Sequence, residues 1–94
     1  MVLALVAGCI REDEFACEDA VSRVARCCSD FPSHVFQCQA VFDLAGNMIT
    51  APDVTVAEAH CIVGRSCDSL VAAGYCFPTV NDSGHYLFPG DCRQ

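Results

Sequence analysis

The stretch Arg11-Glu12-Asp13-Glu14-Phe15-Ala16-Cys17-Glu18-Asp19-Ala20-Val21-Ser22-Arg23-Val24-Ala25-Arg26-Cys27-Cys28 carries the first decision about the fold. Cys17, Ala20, Val21, Val24 and Cys28 recur at helical spacing and form one apolar stripe. Arg11, Asp19, Ser22, Arg23 and Arg26 fall opposite it. Asp19 and Arg23 stand at i and i+4, the spacing of an ion pair along a helix. Acids lead the run (Glu12, Asp13, Glu14) and arginines follow, the order that a helix dipole favours. Ser29, Asp30 and Pro32 then end it. The reading is one amphipathic helix that carries three cysteines.

Those three cysteines constrain the rest of the chain. On a helix Cys17 and Cys28 lie about 16 Å apart, far beyond the roughly 7 Å that a disulfide tolerates between Cα atoms. Cys17 and Cys27 fail for the same reason, and a bond between neighbours Cys27 and Cys28 would be strained. Each must therefore find a partner outside the helix. The chain holds nine cysteines in 94 residues. With Cys9 set aside, Cys17, Cys27, Cys28, Cys38, Cys61, Cys67, Cys76 and Cys92 make four disulfides. The helix restriction leaves roughly 60 of their 105 pairings. Among these we expect Cys27 or Cys28 to bond Cys61, and Cys92 to bond a cysteine far from it in sequence.

Beyond the helix the pattern changes. Phe36, Cys38, Ala40 and Phe42 alternate with Gln37 and Gln39, which predicts a strand over residues 34–42. A helix started by Ser33 is the alternative. Turn residues fill Asp43 to Asn47, and Met48-Ile49-Thr50 can pair back as a short hairpin. Thr55-Val56-Ala57-Glu58 is a capping box for a helix that runs to Val63 and stops at Gly64. Ser66 opens a further short helix, with Asp68 in its first turn and Gly74 at its C′ position. From Tyr75 to Gln94 the residues read as an irregular tail, rich in turn chemistry (Pro78, Asn81-Asp82-Ser83-Gly84, Pro89-Gly90). The fold class is thus a small, disulfide-rich, mainly α domain of three helices, with a short β-hairpin and an irregular C-terminal tail.

Bulk composition agrees with staples. The hydrophobic share is 53%, but cysteine and alanine supply much of it and Trp is absent. Four disulfides at about 2–4 kcal/mol each rival the net stability of an ordinary domain. Cysteine at this density points to an oxidising compartment. The net charge of −7 argues against nucleic acid and against electrostatic docking on anionic lipid. No apolar run after Gly8 is long enough to span a bilayer.

The odd cysteine has its own context. Residues 2–8 are apolar and end in small side chains, so 1–8 reads as a partial signal-peptide-like leader and 9–94 as a single cysteine-rich domain. The leader lacks a basic residue, which makes the DNA upstream of Met1 informative. Val6-Ala7-Gly8-Cys9 resembles the lipobox of bacterial lipoproteins. That resemblance implies cleavage after Gly8, lipid on Cys9 and attachment to a membrane. Ile10 is not the Asp that marks inner-membrane retention, so the implied address is the outer membrane of a bacterial envelope, with secretion as the alternative. The segment from Cys61 to Leu70, with Gly74 and Cys76, also looks like small cysteine-rich lipoproteins of myxobacteria, which imply no molecular activity. Plant lipid-transfer proteins and related inhibitors share the adjacent Cys27-Cys28 but carry a CxC, where this chain has Ala40 between Gln39 and Val41.

Catalytic and metal motifs are weak. The cysteine spacing contains no C-x-x-C, the element of zinc and thioredoxin-like sites. His60 and His85 read as ordinary surface or half-buried histidines. Asp82-Ser83-Gly84 echoes the reactive-serine tripeptide of chymotrypsin-like proteases, but three residues do not make a triad. Asn81-Asp82-Ser83 is a glycosylation sequon, meaningful only in a eukaryotic secretory setting. We therefore expect no catalytic residue, no metal and no cofactor. The functional expectation is an exported, non-catalytic lipoprotein domain with an envelope or partner-binding role, held to the membrane through Cys9 and facing an unidentified protein partner. A soluble inhibitor-like or apolar-ligand-binding module is the alternative.

Overall fold

A computed structural model describes residues 11–93. Its first element is α1, Glu12–Cys27. The expected stripe is the buried side: Cys17, Ala20 and Val24 are fully enclosed, and Val21 and Cys28 nearly so. The expected Asp19–Arg23 pair does not form. Arg23 turns inward, and its Nη2 donates to the Arg65 carbonyl oxygen at 2.8 Å.

The chain after α1 is extended but not paired as a strand over its whole length. Ser33–Val35 is one 3₁₀ turn. Phe36, Cys38 and Ala40 are buried while Gln37 and Gln39 are exposed, so the alternation is correct as far as Ala40. Only Val41–Phe42 forms a ladder (β1), pairing antiparallel with Met48–Thr50 (β2) around the expected turn. Phe42 is exposed and leaves the alternating pattern, because a register shift lies between Val41 and Phe42. The turn is held by Asp43, whose Oδ1 accepts from the amides of Ala45 (3.0 Å) and Asn47 (2.8 Å).

The two short helices start and stop where their caps dictate. In α2, Val56–Val63, the Thr55 hydroxyl accepts from the Glu58 amide at 3.1 Å, and Gly64 is the C-cap. In α3, Cys67–Ala72, the Ser66 hydroxyl accepts from the Ser69 amide. Gly74 adopts φ +87, and the amides of Gly74 and Tyr75 donate to the carbonyls of Val71 and Leu70. That is a complete Schellman motif, and it needs the left-handed conformation that glycine tolerates. It also turns Tyr75 into the core. The tail is irregular apart from a hairpin of two short strands, β3 (Thr79–Val80) with β4 (Tyr86–Leu87), and a 3₁₀ turn at Asp91–Arg93.

Four disulfides join these pieces: Cys17–Cys38, Cys27–Cys67, Cys28–Cys76 and Cys61–Cys92. All three cysteines of the first helical stretch leave it, as helix geometry requires. Cys92 bonds Cys61, 31 residues away. The expected bond from Cys27 or Cys28 to Cys61 is incorrect. Glu58, Ala59 and Ile62 form the inner side of α2, and Cys61 is exposed on its outer side. There it meets the tail, while the end of α1 meets α3 and the segment after it. The core between them is aromatic: Phe88 stacks on Phe36 at 4.6 Å between ring centres and on Phe31 at 5.9 Å, with Tyr75 tilted against it at 5.5 Å.

Candidate functional site

Two polar knots and one apolar end are the places where side chains converge. The first knot locks the tail. Tyr75 is fully buried, and its hydroxyl accepts from the Cys92 amide at 3.0 Å and donates to Asp91 Oδ1 at 3.5 Å. Arg65 pairs with Asp91, donates through Nε to Ser69 Oγ at 2.9 Å and lies over the Tyr75 ring. The hydrogen bond from the Arg65 guanidinium holds the Asp91 carboxyl below its ordinary pKa, against a smaller desolvation effect. Glu58, buried on α2, shifts the other way: burial raises its pKa, partly offset by a hydrogen bond from the Thr55 backbone.

The second knot is centred on Asp53, which sequence reading did not single out. Asp53 Oδ1 meets His85 Nδ1 at 2.9 Å, and Oδ2 accepts from the Gln37 amide at 2.8 Å. The Asp53 amide donates to the Gln37 carbonyl at 2.8 Å. One carboxylate thus ties the extended segment, the approach to α2 and the β3–β4 hairpin together. A single acid after a proline gives no sign of this, because the partners lie 16 and 32 residues away. Ser83, in contrast, sits exposed in the β3–β4 turn, and its amide donates to Asn81 Oδ1. His60 is exposed on α2. Among the described residues no three of His, Cys, Asp and Glu gather as metal ligands would.

The apolar end lies where the chain enters α1. Arg11 forms a fork with Asp13, Nε to Oδ1 at 3.0 Å and Nη2 to Oδ2 at 2.8 Å. Its guanidinium carbon stands 4.7 Å from the centre of the Phe42 ring. Glu14 Oε2 accepts from the Ala40 amide at 2.7 Å, and Cys17–Cys38 lies one turn further along. These three ties fix the base of the β1–β2 hairpin on the first turns of α1. Two open grooves flank the same helix. One of about 640 Å³ runs between α1 and the extended segment, along Val21, Ser22, Phe36 and Gln39. The other, about 410 Å³ and more apolar, lies between α1 and α2 along Phe15, Ala16, Ala59 and Val63.

The eight body cysteines are all consumed in pairs, and Cys9 lies outside the described residues, as do leader residues 1–8. No protein-family model matches the chain, and no curated protein or solved structure is found to match it. The fold is that of a small, mainly helical, disulfide-stabilised domain, suited to export into an oxidising environment. No helix among the described residues is long and apolar enough to cross a membrane.

Proposed function

We propose that this chain is an exported bacterial lipoprotein: a non-catalytic, disulfide-clamped domain held at the cell envelope by lipid on Cys9, where it serves envelope structure or binds a partner. The observation that carries the reading is the pairing of the other eight cysteines. With those closed on one another, Cys9 has no cysteine left to bond within the chain. Its lipobox-like setting, Val6-Ala7-Gly8-Cys9, supplies a use for the thiol. Two or more acyl chains on that residue would anchor the domain where one would be marginal. The default address is the outer membrane, with Ile10 following the lipidated residue.

The test is metabolic labelling with a radiolabelled fatty acid, in bacteria expressing the gene with its own upstream DNA. Label on the wild-type chain, lost in Cys9→Ser, is the expected result; the N-terminal peptide then carries a lipidated Cys9 by mass spectrometry. An unlabelled chain with a free Cys9 thiol refutes it. The second reading, a soluble carrier of an apolar ligand, is favoured by the groove along Phe15, Ala16, Ala59 and Val63. It predicts saturable binding of a fluorescent fatty acid by the Cys9→Ser chain, lost on Phe15→Asp, a change at an exposed position of the groove.

A further inference from the structure

Every large apolar side chain of the β1–β2 hairpin points away from the core. Val41, Phe42, Met48 and Ile49 are between 40% and 65% exposed, and Leu44 at the tip is entirely exposed. Five such residues within nine positions are too concentrated for scattered surface chance. Phe42 and Met48 stand opposite each other on one side of the ribbon. Ile49, the next residue of β2, faces the other side. A ribbon apolar on both sides, with a leucine at its tip, cannot cover itself against one flat protein surface. It matches a surrounding medium.

We infer that the β1–β2 hairpin inserts shallowly into an uncharged lipid surface, beside the anchor proposed for Cys9, and so fixes the orientation of the domain on the membrane. The inference rests on the lipoprotein reading for its location. The decisive observation is where the chain enters the described domain. Cys9 precedes Arg11 by two residues, a reach of about 7 Å, and the Arg11 guanidinium lies on the Phe42 ring. A lipid on Cys9 would therefore be delivered to the base of the hairpin. The Glu14–Ala40 hydrogen bond and the Cys17–Cys38 bond hold that base in place.

The turn chemistry suits an interface. Asp43 and Asn47 satisfy each other and the turn amides: the Asp43 amide donates to the Asn47 carbonyl at 2.9 Å, and the Gly46 amide donates to the Asp43 carbonyl at 3.1 Å. Backbone groups paired in this way enter a water-poor layer at low cost. The Asp43 carboxylate limits the depth: Leu44 at the tip reaches furthest, and Phe42, Met48 and Ile49 behind the turn stay in the headgroup layer. With a net charge of −7, the chain favours a zwitterionic over an anionic surface.

The chain has no Trp, so one can be placed as a sole probe. In the full chain, Leu44→Trp reports on the hairpin. Phe77→Trp is the control: Phe77 is 79% exposed and adjoins Cys76, which is bonded to Cys28 at the far end of α1. Each variant is coupled through the Cys9 thiol to a maleimide-headgroup lipid in phosphatidylcholine vesicles that contain acyl-brominated phosphatidylcholine. Coupling supplies the tether whether or not a cell lipidates Cys9, so a failure here is distinct from a failure of the labelling experiment. The expected result is a blue-shifted Leu44→Trp emission, quenched at least about twofold more than that of Phe77→Trp. Equal quenching of the two, or none, overturns the inference. So does a blue shift of Leu44→Trp that appears without vesicles as protein concentration rises, which would mean that a second copy of this chain covers the hairpin.

Discussion

The tail from Tyr75 to Arg93 and the β1–β2 hairpin are both short, mostly irregular stretches with little ladder of their own, yet they treat their apolar residues in opposite ways. The tail turns Tyr75 and Phe88 into the core and is tied down by two disulfides, Cys28–Cys76 and Cys61–Cys92. The hairpin is fixed only at its base, and from Val41 to Ile49 every residue is exposed. The difference shows that lack of regular structure says little about order. What matters is whether cross-links and buried rings hold a segment from outside. Substitutions in the tail should therefore act on stability, and those in the hairpin should leave stability nearly untouched.

The largest effects fall on the cross-links to α1. Replacing Cys28 and Cys76 by Ala removes a cross-link that spans 48 residues. Because Cys27–Cys67 stays closed beside it, this bond itself closes a loop of only about ten residues, and the chain-entropy model gives a loss of about 3 kcal/mol, read as a drop in the denaturation midpoint with release of the tail. Removing Cys17–Cys38, with its separation of 21, should cost about 3 kcal/mol and loosen the hairpin base rather than the tail. Loss of Cys28–Cys76 that loosened the hairpin as much as the tail would break the comparison.

The next effect tests packing rather than cross-linking. A methyl group on Gly90 would overlap the Tyr75 ring. Gly90→Ala should cost about 2–3 kcal/mol through overpacking, by thermal unfolding. Tyr75→Phe is milder: it keeps the ring but leaves the Cys92 amide without its acceptor, for about 1–2 kcal/mol.

How much of this contrast was visible in the sequence depends on the distance over which each signal acts. The helical stripe of α1, the Thr55 capping box and the Gly74 stop are local, within about one turn of the residues that reveal them, and the structure has each where it was expected. The partner of Cys61 was not legible. Val56, Ala57, Ala59, Ile62 and Val63 make α2 apolar nearly all round, so no stripe says which side of it a cysteine occupies. The role of Asp53 was hidden for a similar reason: it is defined by Gln37 and His85, and neither is near it in the chain. Legibility failed wherever tertiary contacts chose among equivalent local options.

Acid should loosen the tail at Asp91 and the hairpin turn at Asp43, whose carboxyl is held below its ordinary pKa by the hydrogen bond from the Asn47 amide. The Asp91 carboxyl has a folded pKa below its unfolded value, so its contribution is present above the unfolded pKa and is lost as pH falls through the folded one. Glu58 has the opposite sign: its raised folded pKa favours stability below the unfolded value, and that share is lost as pH rises through the folded one. Following Tyr75 ring resonances by NMR from neutral to acidic pH should show a transition that Asp91→Asn removes. A transition that survives Asp91→Asn would place the acid-sensitive contact elsewhere.

The smallest expected effect on stability is at Leu44, and it sharpens the comparison most. Leu44 is fully exposed, so Leu44→Ser removes no buried contact and should change unfolding free energy by less than about 0.5 kcal/mol. Water is a better solvent for serine than for leucine, so the variant should even be the more soluble chain. An apolar residue that contributes nothing to folding, at the tip of a hairpin fastened to the first turns of α1, is free to serve the membrane contact proposed above. A Leu44→Ser chain with unchanged unfolding but reduced binding to phosphatidylcholine vesicles would separate the hairpin's purpose from that of the tail. A clear loss of stability instead would make Leu44 part of the fold and reduce the two regions to one kind.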